Sequence, residues 1–406
     1  MFESVKKVHL IGAGGIGVSA LGKLFLHLGK TVSGSDSYPN EQVDALRALG
    51  AHLTIGQSAD NITEDLDLII YSPAVPVENV ERARGRELGL IEMSYPEVLG
   101  EMCKQKHCVA IAGTHGKSTT TAMIGLILEE AGLDPLVIVG SKVSTWKDGN
   151  LRMGHGEVFV VEACEHMASF LKLHPAIAVI TNIEMDHPDF YRDLAHVQET
   201  FTTFKSQSKQ VIDAGTWNGE LSLKVPGVFN VENARLAATV AKEFGVSDEV
   251  IISTLNQFTG LWRRFERVGQ YHGADVISDY AHHPTAITKT LQATREAFPN
   301  RRIILCFQPH QHARTKELFS EFIPAFDNAD LTILVEIYAV AGRLEVLGEI
   351  SSKDLVRSIK EREKDVRYAA DLVDAENQVR DVAKAGDVIL IMGAGDVDDV
   401  ARRIAE

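Results

Sequence analysis

The sequence predicts an α/β protein of three domains, each built on a mostly parallel sheet covered by helices. Three observations lead there. Apolar β runs that end in glycine open three separate stretches of the chain. Each run alternates with segments whose apolar residues recur at helical spacing, the pattern of βαβ units. At 406 residues the chain exceeds a single core, since domains hold roughly 100–200 residues.

The first stretch begins with a strand over 8–11 and the glycine run Gly12-Ala13-Gly14-Gly15-Ile16-Gly17. A helix follows, with Leu21, Leu24, Phe25 and Leu28 on one face. Strands over 31–36, 66–71 and 88–93 complete it, the first of these ending in Asp36. The second stretch opens with a strand over 108–112 and a helix over 118–131. Strands over 158–162 and 176–181 follow, then a helix over 234–244 after the Pro226-Gly227 turn. The third has strands over 275–278, 302–307, 331–335 and 388–392, with helices over 285–297, 316–325 and 353–360 between them. Divisions fall near residues 101 and 264, giving domains 1–101, 102–264 and 265–406.

The apolar fraction of 45% and charged fraction of 24% are those of a water-soluble globular chain. A formal net charge of -15 argues against a nucleic-acid partner held by general phosphate neutralisation. Met1-Phe2-Glu3-Ser4-Val5-Lys6-Lys7 lacks a secretory apolar segment, and no run of about 18 apolar residues offers a membrane span. A cytoplasmic protein without a membrane partner is expected. The four cysteines make no disulfide framework and are expected to be packed thiols.

The segment carrying most chemistry is Gly113-Thr114-His115-Gly116-Lys117-Ser118, followed by Thr119. It leaves an apolar strand and opens a helix, the context of a phosphate-binding loop. Glycines let the backbone turn and aim N–H groups inward, and the helix N-terminus adds partial positive charge. Lys117 can reach β- and γ-phosphates, and the Ser118 hydroxyl stands where such loops ligate Mg²⁺. Ile111 replaces the usual first glycine, so the loop is a variant. The plainer alternative is a Gly-Lys-Ser turn at an ordinary helix start. Further Mg²⁺ ligands are needed. Glu162 and His187 follow the ends of two strands, where ligands of open α/β sheets lie. Gly12, Gly14 and Gly17 with Asp36 also fit a dinucleotide fingerprint, which alone would point to a dehydrogenase.

Taken together, the segments resemble the Mur ligase family. They are His9-Leu10-Ile11-Gly12-Ala13-Gly14-Gly15-Ile16-Gly17, the phosphate loop, Thr181-Asn182-Ile183-Glu184-Met185-Asp186-His187, Phe229-Asn230-Val231-Glu232-Asn233, Arg263-Arg264-Phe265-Glu266, Asp279-Tyr280-Ala281-His282-His283-Pro284-Thr285, Gln308-Pro309-His310 and Arg314-Thr315. The resemblance implies a Rossmann-like N-terminal domain for a UDP-sugar, a central P-loop ATPase-type domain, and a Rossmann-like C-terminal domain that receives an amino acid and closes on ATP. The implied activity is ATP-dependent addition of L-alanine to UDP-N-acetylmuramate through an acyl phosphate, by a monomer or homodimer with two Mg²⁺ ions. Gly14, Gly15 and Ile16 would face the UDP moiety, with Asp36 and Ser72 nearby. Gly113, Thr114, His115, Gly116, Lys117, Ser118 and Thr119 would hold ATP phosphates, and Asn233, Arg264 and Asp279 the rest of the nucleotide. Ser118, Glu162 and His187 would bind metal. Lys117, His187, His282 and Arg314, with His310 beside them, would serve the chemistry.

The chain departs from the family in places. Glu162-Ala163-Cys164-Glu165-His166-Met167 stands where Glu-Ala-Asp-Glu-Ser-Asp is usual, and Phe229 replaces a His. The region after Lys209 is short, and 337–342 only loosely resembles the family pattern. Two other readings stay open on these grounds: a ligase that attaches a recycled tripeptide to the same sugar, and a nucleotide-binding protein without turnover.

Overall fold

The computed structural model describes residues 2–339 and 349–405. Residues 340–342 of the loosely matching stretch lie outside the described residues. The chain forms three sheets. In the first, His52–Ile55, Thr31–Asp36, Lys7–Ile11, Leu68–Tyr71 and Glu92–Ser94 lie side by side, all parallel. Val8, Leu10, Ile69 and Ile70 are fully buried, as expected when helices cover both faces. Strand order reverses on either side of Lys7–Ile11, so a crevice opens at its carboxyl end, where the glycine run lies.

The second sheet runs Gln210–Ile212, Ile177–Ile180, His107–Ala112, Val158–Glu162, Leu136–Ile138 and the antiparallel edge Leu151–Arg152. The third runs Glu266–Tyr271, Ala274–Asp279, Val388–Met392, Ile303–Phe307, Leu331–Val335 and Val366–Ala369, antiparallel only at its first pair. In both sheets the central strands are apolar and buried along most of their length, the pattern of a sheet covered on both sides.

One buried cluster crosses from the first sheet to the second, joining Leu10, Leu21 and Phe25 to Cys108, Phe159, Phe170 and Phe201. Polar contacts secure the same seam. Lys23, on the helix Ile16–His27, is buried and donates to Asn150 Oδ1 at 2.6 Å and to the Asp148 carbonyl at 2.8 Å. Burial pulls its pKa below that of a free lysine. Asn150 in turn donates to the Ile16 carbonyl at 2.6 Å.

Four sequence expectations are corrected. The strand placed at 88–93 is confined to Glu92–Ser94, because Val80–Glu87 is helical and Gly89 closes that helix at φ 68°. The helix placed at 234–244 runs Val228–Glu243, its start hidden by first turns that mix Val228, Phe229 and Val231 with Asn230, Glu232 and Asn233. The helix placed at 316–325 is two short helices, His312–Glu317 and Phe319–Ala325, meeting at Leu318. Cys103 and Cys108 are joined as a disulfide rather than packed as separate thiols, while Cys164 and Cys306 are free.

Candidate active site

The loop from Gly113 to Gly116 joins the strand His107–Ala112 to the helix Lys117–Glu130. Two glycines make the turn. Gly113 has φ 141° and Gly116 has φ 83°, conformations that side chains rarely adopt. Space forbids a side chain as well, since a Cβ would lie 2.0 Å from Thr181 Oγ1 at Gly113 and 2.4 Å from Asn233 Oδ1 at Gly116.

The neighbouring strand end grips the loop. Asn182 Oδ1 accepts from the His115 N–H, and its Nδ2 donates to the His115 carbonyl, each at 2.9 Å. Thr114 Oγ1 accepts from the Glu184 N–H at 2.9 Å. The His115 imidazole lies 3.5 Å from Glu184 and is the main cause that holds that carboxyl down to about 2. Ser118 is buried at the helix N-terminus.

Lys117 folds back over the loop. Its Nζ donates to the carbonyls of Gly113 at 2.5 Å and Thr114 at 3.2 Å, and it pairs with Glu165 at 2.9 Å. Burial works against both charges, yet each overcomes it for the other. Lys117 stays above its usual pKa and Glu165 below its own. Glu165 Oε1 is also 3.6 Å from His187 Nε2. Sequence reasoning did not single out Glu165. Its only signal was that, like Glu162, it keeps an acid of the family pattern while the acids at 164 and 167 are replaced.

Two cavities are walled by residues next to this ion pair in the chain. One, of about 400 Å³, is lined by His115, Gly116, Thr119, Asn233, Arg264 and Asp279 among others. Phe229, the departure from the family histidine, lines it too. Asp279 accepts from the Phe265 and Ala281 N–H groups at 2.8 Å each, and burial raises its pKa. Arg264 stacks over Tyr280 at 4.9 Å.

The other cavity, of about 760 Å³, lies between the first two sheets. Gly15, Ile16 and Ser72 line it on one side, and Glu162, Cys164 and His166 on the other. Gly14 and Asp36 stand behind this wall: the Gly14 N–H donates to Asp36 Oδ2 at 2.7 Å. Glu162 accepts from the Gly140 N–H at 2.8 Å. Ser118 and Glu162 offer oxygen donors, the chemistry Mg²⁺ takes. Among the described residues, His187 groups with His166 and Asp189 rather than with Glu162 as a possible ligand set.

The third sheet closes on the second through polar contacts. Arg314 Nε donates to Asp186 Oδ1 at 2.8 Å, both side chains being buried. His283 Nε2 meets the Met185 carbonyl at 3.0 Å. His282 Nδ1 is 2.9 Å from the Tyr280 carbonyl, and the His282 and His310 rings are 5.9 Å apart. Burial first, then the Arg314 charge, hold His282 well below its usual pKa, so its ring is neutral at pH 7.

A phosphate loop gripped by the next strand, with one cavity toward a third sheet and another toward a first, defines a three-domain ATP-dependent ligase. Three sequence models match along the chain: the Mur ligase family catalytic domain at residues 7–107, the middle domain at 111–214 and the glutamate ligase domain at 263–395. UDP-N-acetylmuramate–L-alanine ligase of Sulfurihydrogenibium sp. is 36% identical, with 99% of this chain and 98% of the relative covered. The enzyme of that name from Clostridium kluyveri is 38% identical over 98% of both. The crystal structure of UDP-N-acetylmuramate–alanine ligase from Thermotoga maritima superposes with a TM-score of 0.85 at 29% identity, covering 98% of each chain. The chain belongs to the Mur ligase family. The alignment with the Sulfurihydrogenibium relative spans 448 positions against the 406 residues here, in line with the shortened region read from the sequence.

The loop geometry carries a prediction. Gly116→Ala forces a side chain into a left-handed turn and onto Asn233. It is expected to cost about 1–3 kcal/mol of stability and at least about tenfold in ATP affinity. Calorimetric ATP titration beside a thermal melt checks both. Unchanged affinity would show that the backbone at Gly116 does not meet the nucleotide.

Proposed function

We propose that this enzyme joins L-alanine to the lactoyl carboxylate of UDP-N-acetylmuramate at the expense of ATP. One observation carries the reading: the Lys117–Glu165 pair links the segments that wall the two cavities, since Gly116 and Thr119 beside Lys117 line one, and Cys164 and His166 beside Glu165 line the other. A nucleotide in the first and a UDP-sugar in the second would meet at Lys117. The names of the full-length relatives supply the substrates.

In this reading residues 1–101 hold the UDP-sugar through Gly14, Gly15, Ile16, Asp36 and Ser72. Residues 102–264 hold ATP through the loop and Asn233. Residues 265–406 close over it with Arg264 at the hinge, Asp279, His282 and Arg314. The γ-phosphoryl group passes to the carboxylate oxygen, because a carboxylate alone is a poor electrophile. The α-amine of L-alanine then attacks the acyl phosphate carbon, and phosphate leaves. Lys117 leaves Glu165 to neutralise the transferring group, which gathers charge at its equatorial oxygens. His282, its Nδ1–H held by the Tyr280 carbonyl, would line with His310 and Arg314 the space where the acyl group meets the amine. Closure excludes the water that would hydrolyse the acyl phosphate. Mg²⁺, held by Ser118 and, for a second ion, by Glu162 and His187, would supply charge neutralisation. The enzyme works in the cytoplasm as a monomer or homodimer.

The test is ADP release by the purified chain with Mg²⁺-ATP. Release that requires UDP-N-acetylmuramate and L-alanine together is expected. Release that needs L-Ala-γ-D-Glu-diaminopimelate instead would transfer the enzyme to tripeptide recycling. Release indifferent to every acceptor would overturn the ligase reading.

A further inference from the structure

His166 is one of the residues by which this chain leaves its family pattern, and the fold gives it specific company. Its Nε2 lies 3.1 Å from Asp189 Oδ2, and its ring stacks on His187 with centroids 4.5 Å apart and planes 29° from parallel. One ligand atom from each of His166, His187 and Asp189 lies within 4.8 Å of the others. Two donors bound at about 2.0–2.1 Å with tetrahedral angles stand about 3.3 Å apart. The spacing therefore needs only small rotations to close on an ion.

The two segments that carry these side chains are fixed to each other. His187 takes φ 54°, and its carbonyl accepts from the N–H groups of Phe190 and Tyr191 at 2.9 Å, a turn that carries Asp189 toward His166. The Tyr191 hydroxyl then donates to the Glu165 carbonyl at 2.6 Å, tying the turn to the residue before His166. His187 Nδ1 is buried without a hydrogen-bond partner. Two imidazoles and one carboxylate are a donor set for Zn²⁺ and Co²⁺, while Mg²⁺ takes oxygen and keeps its waters.

We infer that His166, His187 and Asp189 form a binding site for a borderline divalent transition-metal ion of the Zn²⁺ class, at the edge of the larger cavity. His166 and Asp189 both line that cavity, so a coordination position left open there is available to an oxygen of whatever occupies it. His187 is shared with the second Mg²⁺ of the reading above, and the two ions compete for it. The inference does not depend on amide formation, because its test requires no turnover.

The test uses the full chain stripped with a chelator and titrated with ZnCl₂, CoCl₂ or MgCl₂ in a calorimeter, with Co²⁺ also followed by its visible absorption. Binding of one Zn²⁺ or Co²⁺ per chain is expected, at least about 100-fold tighter than Mg²⁺. His166→Ala and Asp189→Asn should each weaken it about tenfold or more, while Glu162→Gln and the exposed His155→Ala leave it unchanged. Melts of the metal-free variants establish that both are folded, and the absorption of the Co²⁺ complex should lose intensity in each. No saturable Zn²⁺ binding, equal affinity for Mg²⁺, or binding indifferent to both His166→Ala and Asp189→Asn would overturn the site. ADP release in Mg²⁺ alone, measured separately, would leave the ligase reading standing in that event.

Discussion

Lys117→Ala is expected to lower ADP release by about 10²–10³-fold or more, while binding of the UDP-sugar changes little. The ammonium is the cation of the loop, and it would offset negative charge that the transferring phosphoryl group gathers at its oxygens. The same substitution has a structural effect that must be separated from the catalytic one. It removes the partner of a buried carboxylate, Glu165, and an uncompensated buried charge is costly. Lys117→Ala combined with Glu165→Gln removes both charges. It should recover stability without recovering turnover. Calorimetry with UDP-N-acetylmuramate, single-turnover ADP release and thermal melts divide the three effects. Turnover within about tenfold of the parent would remove Lys117 from the chemistry, and loss of sugar binding would contradict separate sites for sugar and ATP.

Arg314→Ala should destabilise the protein by about 3–5 kcal/mol, because it strands the buried Asp186 carboxylate. Asp186→Asn with Arg314→Met, which removes both charges, should cost much less, and that contrast distinguishes a broken ion pair from lost packing. The pair also predicts an acid effect. Burial would raise the Asp186 pKa, but with the Arg314 charge foremost among the opposing causes the carboxyl is held well below its usual range. A carboxyl depressed in the folded state stabilises above its unfolded value, about 3.9, and loses that contribution as pH falls through the folded value. Chemical denaturation at decreasing pH should show this loss below about pH 4 in the parent. Asp186→Asn should lack that part of the slope. Parallel slopes for the two proteins would place the acid sensitivity elsewhere.

Much of this site was legible in the sequence because the relevant signals are local. Strand, glycines, lysine and hydroxyl of the loop fall within a dozen residues, and their order implies their geometry. The residues that escaped are those whose meaning is a partner far along the chain. Glu165 is known by Lys117, and the importance of Asp186 by Arg314, and no periodicity connects either pair. Asp189 was invisible for a similar reason: its approach to His166 depends on the left-handed turn at His187. The start of the helix Val228–Glu243 was missed because its first turns line a cavity and mix polar with apolar residues, and the split at Leu318 because apolar spacing alone does not register a break of the backbone at one residue.

The seam between the first two sheets is one continuous apolar cluster, pinned by the buried Lys23 and Asn150 contacts, whereas the buried clusters of the third sheet begin only at Phe265. Apolar adhesion has no preferred direction and little sensitivity to ionic strength. The contacts across the other boundary are oriented hydrogen bonds, Arg314 to Asp186 and His283 to the Met185 carbonyl, and the first is also an ion pair. Compliance is therefore unequally distributed. The first two sheets should tumble as one body in solution, and the third should yield first to salt, acid or mechanical load. When it returns, angle-dependent bonds dictate its seating, so the cleft shuts in one register rather than a range of them.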